Sequence, residues 1–203
     1  MIEYARRKYT GERIDFDILD IQAENLPEQY IGQFDHVFSY STINSRNNVL
    51  QEIKNVSKLL KRGGCFHLTM VLAHDAFGLY NKMLNHPIYG KYFMKYVSDF
   101  HYYHVNADGY LRQLIEFQGF KIKYCQTKDI IYKSNYILPH IVFELPSIHE
   151  LTPEQQQDLK DILKKKWNKM EKKFDRSSYA NDPKYDPECN DLFDIVQILA
   201  YKS

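Results

Sequence analysis

Residues 34–71 read FDHVFSY STINSRNN VLQEIKNVSKLLKRGG CFHLTMV, and this stretch decides the fold. Phe34 to Tyr40 has the apolar and aromatic content of a strand and releases into the polar loop Ser41 to Asn48. Val49, Ile53, Val56 and Leu60 then recur at helical spacing, and Gly63-Gly64 supplies the positive φ that commonly follows a helix. Cys65 to Val71 is a second apolar run of strand length. A strand, a helix and a strand in this order predict an α/β layer fold.

The flanks continue the alternation. Ile2, Ala5 and Tyr9 are spaced like one face of a helix that closes near Gly11. Ile14, Phe16 and Ile18 alternate with Asp15 and Asp17, which predicts a strand from Ile14 to Ile21 with the carboxylate of Asp20 near its C-terminal end. Downstream, residues 74–105 are rich in Tyr, Phe and His and contain Pro87 and Gly90, so short helices forming an inserted cap are expected there. A helix with Leu111, Leu114 and Ile115 inward, capped by Asn106 or Asp108, should end at Gly119 before a strand from Phe120 to Thr127. Thr152-Pro153-Glu154-Gln155 has the capping-box form, with Leu159, Ile162, Leu163, Trp167, Met170 and Phe174 as the apolar stripe behind it. Asp175 to Asn190 reads as a loop and Ile195 to Tyr201 as a closing strand. The whole chain, 1–203, is expected to form a single domain.

Composition narrows the function. The 203 residues are 44% hydrophobic and 15% aromatic, ample for a buried core. Lys plus Arg number 27 against 26 Asp plus Glu, and a net charge of +1 disfavours a dedicated nucleic-acid or anionic-membrane binder. Cys65, Cys125 and Cys189 stand far apart without a Cys-x-x-Cys pair, which argues against a zinc ribbon and a disulfide framework and fits a reducing, cytoplasmic setting. No apolar run approaches the roughly 20 residues of a membrane-spanning helix, and Met1 to Tyr9 is charged rather than signal-like. The sequon Asn55-Val56-Ser57 would matter only in a secreted protein.

In an open α/β sheet, ligands bind beyond the carboxyl ends of the strands, which selects Asp20 and the run Ser39-Tyr40-Ser41. A carboxylate at Asp20 suits an exocyclic amine such as that of adenine, with Ile21 against a ring face; the plainer alternative is a helix cap or a solvent-facing side chain. His101-Tyr102-Tyr103-His104 tempts a metal reading, but adjacent residues project differently and aromatic packing is favoured, so no metal site is expected. Lys164 to Lys166 with Lys169, Lys172 and Lys173 reads as a solvated helix face. Cys65 and His67 share a strand face, yet no third orienting group for thiol catalysis is evident in the sequence.

The order Leu19-Asp20-Ile21, then Phe34-Asp35-His36-Val37-Phe38-Ser39, then Leu59-Leu60-Lys61-Arg62-Gly63-Gly64, with Gly119-Phe120 before a further strand, resembles the class I methyltransferases that use S-adenosylmethionine. More specifically it is similar to the juvenile hormone acid methyltransferase-like branch of arthropods, and the likeness runs from Met1-Ile2-Glu3-Tyr4-Ala5-Arg6 to the closing strand. The resemblance implies a Rossmann-like, doubly wound sheet with a helical cap. Asp20 would contact the adenine amine, Ile21 would flank its ring, and Ser39 and Tyr40 would lie beside the methionine moiety. It also implies a small lipophilic acid as acceptor, held under the cap near Asn44 and Ser45.

Two departures qualify it. The family's first strand, glycine-rich loop and second strand belong ahead of a segment like Met1 to Tyr9, and the sequence lacks them. Where the hormone-acid branch carries a His-Trp pair, this chain has Asn44-Ser45. The expectation is therefore a truncated form of the fold that binds S-adenosylmethionine poorly. Its sheet edges would be open to self-association, and a non-catalytic scaffold is the alternative function.

Overall fold

The computed structural model describes residues 1–11, 13–43, 48–94, 107–133, 146–169 and 190–203. The elements in chain order are α1 (Ile2–Tyr9), β1 (Phe34–Tyr40), α2 (Val49–Leu59), β2 (Leu60–His74), α3 (Asp75–Leu84), α4 (Gly90–Phe93), α5 (Ala107–Phe117), β3 (Phe120–Lys133), α6 (Pro153–Lys169) and β4 (Asn190–Lys202). Short 3-10 turns occupy Glu28–Tyr30 and Pro146–Glu150.

The four strands form one sheet in the order β1-β2-β4-β3. β1 runs parallel to β2, as a strand–helix–strand crossover requires, while β4 lies antiparallel between β2 and β3. The side chains of β2 alternate between a sealed face and an outer one: Phe66, Leu68 and Met70 are buried with Val196, Ile198 and Ala200 of β4 under α2 and α5. This is the first core. A second, separate core joins α3, α4 and α6 through Leu79, Met83, Phe93, Leu159 and Leu163, all fully buried. The helices of 75–93 and the Thr152 helix thus share one helical layer. Residues 95–106, the remainder of the 74–105 segment, lie outside the described residues, as do Met170 and Phe174.

Local chemistry explains the boundaries. Asn48 caps α2 by accepting from the amide of Gln51 at 3.1 Å. At α6 the capping box forms in both directions: Thr152 Oγ1 accepts from Gln155 N, and Gln155 Oε1 accepts from Thr152 N. Gly119, at φ 82°, turns α5 into β3. The glycine pair behaves differently from expectation. α2 already stops at Leu59, and Gly63 (φ 78°) lies inside β2, where the register jumps from Phe34↔Leu60 to His36↔Cys65. The glycines accommodate a bulge that sets the register of the strands, and the end of α2 is finished instead by Lys202, whose Nζ donates to the carbonyls of Ser57 and Leu60 at 2.7 and 2.8 Å.

The strand expected from Ile14 to Ile21 is not formed. Apart from a single bridge between Gly11 and Ile14, residues 15–20 pair with no strand, and Ile14 and Ile18 are exposed. The reason lies in the aspartates whose alternation suggested it. The Phe16 amide donates to Asp15 Oδ1 and the Ile18 amide to Asp17 Oδ1, so side chains take the donors that a ladder would use. Asp17 also accepts from Arg6 at 2.9 Å and from the Tyr30 hydroxyl, which fastens α1 and the 3-10 turn to this segment.

Asn55, fully buried on α2, holds the next turn: its Nδ2 donates to the carbonyls of Ile21 and Ala23 at 2.8 and 2.7 Å. Replacing Asn55 by Ala strands the Ile21 carbonyl, leaves Ala23 O with only the 3.5 Å bond from Gln51 Nε2, and should destabilise the fold by ~1–3 kcal/mol, read as a lower urea midpoint at unchanged slope. The Tyr30 hydrogen bond, more than that of the Ile18 amide or the charge of Arg6, holds the Asp17 carboxyl below the usual carboxylate range. A depressed folded pKa contributes stability that is complete above the unfolded pKa and is lost as pH falls through the folded one. Tyr30→Phe should therefore move the Asp17 titration upward in an NMR pH series and flatten the acid limb of the stability profile.

Candidate functional site at the strand tips

β1 delivers its C-terminal residues to the place where α/β sheets bind ligands. Ser39 is buried, and its Oγ accepts from the Ile43 amide at 3.1 Å, which curls the chain back as it leaves the strand. Ser41 follows at φ 54°, a left-handed conformation rare for a residue with a side chain, and its amide donates to Thr69 O of β2 at 2.8 Å. The tip of β1 is thus pinned to β2.

The expected site residues do not all converge. Ile21 is half-buried against the first core, which also contains Ile43 and Val49; Asn55 of α2 holds the Ile21 turn, and the Ser39 hydroxyl holds Ile43. Gln51 strengthens this junction by donating to Asn55 Oδ1 at 3.0 Å. Asp20 stands exposed on the outer side of the turn, its Oδ1 accepting from the Gln22 amide at 2.9 Å. Tyr40 diverges: strand alternation turns it to the face opposite Ser39, where it is 64% exposed and its ring stacks along Phe38 at 6.1 Å between centroids. Asn44 and Ser45 lie outside the described residues.

Two further features escaped the sequence reading. A cavity of about 430 Å³ between α3 and α6 is lined by Lys82, His86, Ile162, Lys165, Lys166 and Lys169, so part of the basic run borders a concavity. On the outer face of the sheet, His36 stands opposite Cys65 in the β1–β2 register and near His67, with the two imidazole centroids 5.7 Å apart. Burial, and then the neighbouring His36, push the His67 imidazole below its ordinary pKa, while burial pushes the Cys65 thiol up. The signal that would have found this group is inter-strand register, which one strand's sequence does not contain.

Comparison with known proteins follows the same lines. Residues 1–68 match the family described as Methyltransferase domain. The chain is 32% identical over 107 residues to the juvenile hormone acid O-methyltransferase of Drosophila melanogaster, a match covering 50% of this chain and 36% of that protein. It is 26% identical over 164 residues to a candidate methyltransferase, 235L, of Invertebrate iridescent virus 6, covering 77% of this chain and 57% of the relative. The chain therefore spans less than two thirds of either relative. Among solved structures, a candidate methyltransferase from Bacillus halodurans C-125 superposes with a TM-score of 0.51 at 14% identity, over 94% of this chain and 78% of the other, a likeness of fold. Sequence order and relatives agree in likening the chain to the S-adenosylmethionine-dependent methyltransferases, with the methyltransferase-domain match lying in residues 1–68.

Proposed function

We propose that this chain contributes to methyl transfer from S-adenosylmethionine to a small lipophilic carboxylic acid, with the cofactor's adenosine and methionine parts at the tips of β1 and the Ile21 turn. The observation that supports the reading is the buried Ser39 at the carboxyl end of β1, whose hydroxyl holds Ile43, a member of the core cluster that Ile21 packs against. The residues present suit the group. Ser39 Oγ accepts from Ile43 and keeps its proton to donate. The exposed carboxylate of Asp20 accepts only the Gln22 amide among the described contacts, which leaves acceptor capacity for an exocyclic amine, and Ile21 provides an apolar surface beside it.

S-adenosylmethionine supplies the electrophilic methyl group. A carboxylic acid acceptor is ionised at neutral pH, so the protein needs no general base; its part is to hold acceptor and methyl donor in line and to exclude water. The apolar helical layer of α3, α4 and α6 is the proposed cover for the acceptor, with Asn44 and Ser45 beside it. The insect relative, a juvenile hormone acid O-methyltransferase, supports an acid as the substrate class. The near-neutral charge supports a small molecule over nucleic acid.

This chain on its own binds the cofactor weakly, because the 203 residues contain no Gly-x-Gly run to offer clustered backbone N–H groups. Titrating S-adenosylhomocysteine into isotope-labelled protein should shift the amides of Ile21, Ser39 and Tyr40 with a Kd well above micromolar, and Asp20→Ala should weaken it roughly 2- to 10-fold. Silence at these amides overturns the pocket, and a micromolar Kd by calorimetry overturns the weak binding.

A second reading, a scaffold that associates with its own copies, is favoured by one observation. Among the described residues β1 pairs on one side only, and Phe34, Phe38 and Tyr40 are exposed along it. Sedimentation velocity over rising concentration decides: a dimer abolished by Phe34→Lys supports the scaffold, and a persistent monomer excludes it.

A further inference from the structure

We propose that His36, Cys65 and His67 form a binding site for a zinc-class divalent metal ion on the outer face of the β1–β2 pair. The ligands come together through register rather than sequence. His36 is the partner of Cys65 across the parallel ladder, and His67 is two residues farther along β2, on the same side of the sheet. One donor atom from each residue lies within 4.8 Å of the other two.

A second, independent observation points to a ligand. Nε2 of His67 is buried and has no hydrogen-bond partner, an uncompensated burial that a coordinated cation relieves. The ring of His67 is fixed by Phe38, which stacks on it with centroids 4.3 Å apart. Cys65 is 3% exposed and stands opposite Tyr201 of β4 in the antiparallel ladder, so its position on the sheet is fixed from both sides. His36 is exposed on the edge strand and gives the ion a way in from solvent.

The donor set selects the metal. Two imidazoles and a thiolate suit a borderline-soft ion such as zinc, whereas magnesium and calcium require oxygen donors that this cluster does not contain. Tetrahedral zinc, with bonds of about 2.0–2.3 Å, holds its donors about 3.3–3.6 Å apart. Rotation of the exposed His36 side chain closes the difference. On binding, Cys65 loses its proton to solvent as the sulfur–metal bond forms, both imidazoles coordinate in their neutral form, and water fills the fourth position. The ion cross-links an edge strand to its only described neighbour, so its occupancy stabilises the β1–β2 pair by mass action.

Cobalt(II), which takes zinc's place and absorbs visibly, tests the site in the full 203-residue chain. The proposal expects tetrahedral d–d bands and a thiolate-to-cobalt charge-transfer band, displaced by zinc and untouched by excess magnesium. Cys65→Ser should abolish the charge-transfer band although Cys125 and Cys189 remain. His36→Ala, at an exposed position that leaves folding intact by circular dichroism, should weaken cobalt binding at least ~10-fold, the smaller cost of losing even an outer-shell partner. Zinc should raise the melting temperature of the unaltered chain and not that of the His36→Ala chain. A chain without the charge-transfer band, a band that survives Cys65→Ser, or His36→Ala affinity equal to that of the unaltered chain overturns the proposal.

Discussion

The structure depends on β2 having a neighbour on each edge and a different environment on each face. Its parallel pairing with β1 is made possible by α2, which carries the chain back to the start of the sheet, and its antiparallel pairing with β4 completes the ladder on the other side. One face then carries Phe66, Leu68 and Met70 into the core, and the other presents Cys65 and His67 beside His36. The strand-tip site and the outer cluster both follow from where this strand is placed. A slip of one residue would exchange its faces and lose the core and both clusters of side chains together.

Much of this architecture is legible in the amino-acid order. The helix following Asn48 and the one following Thr152 declare themselves through spacing and caps, because those interactions span three or four residues and need nothing from the rest of the fold. The segment from Ile14 to Ile21 carries the alternation of a strand and still forms none, since Asp15 and Asp17 satisfy its amides locally. Alternation describes a side-chain pattern; a strand also requires a partner for its backbone.

The site is legible in part for the same reason. Ser39 and Ile21 can be selected because strand ends are where such sheets bind ligands; Ser39 is buried and Ile21 half-buried against the first core. Tyr40 follows Ser39 in sequence and departs from it in space, as adjacent strand residues must. The grouping of His36 with Cys65 depends on a bulge of several residues near Gly63, which no local pattern specifies. Charge and apolar content identify a folded domain without saying which side chains meet.

The position of β4 has a consequence for how the sheet assembles. β3 has no described sheet neighbour except β4, and β4 pairs with β2 from Cys65↔Tyr201 to His74↔Phe193, across more than a hundred residues of chain. A strand inserted between two earlier ones must close a loop for each pairing, and neither pairing can form until β4 itself is available. During synthesis, then, β2 waits with one open side and β3 waits unpaired, a window in which bound chaperone or a neighbouring ribosome's product competes for the vacant backbone.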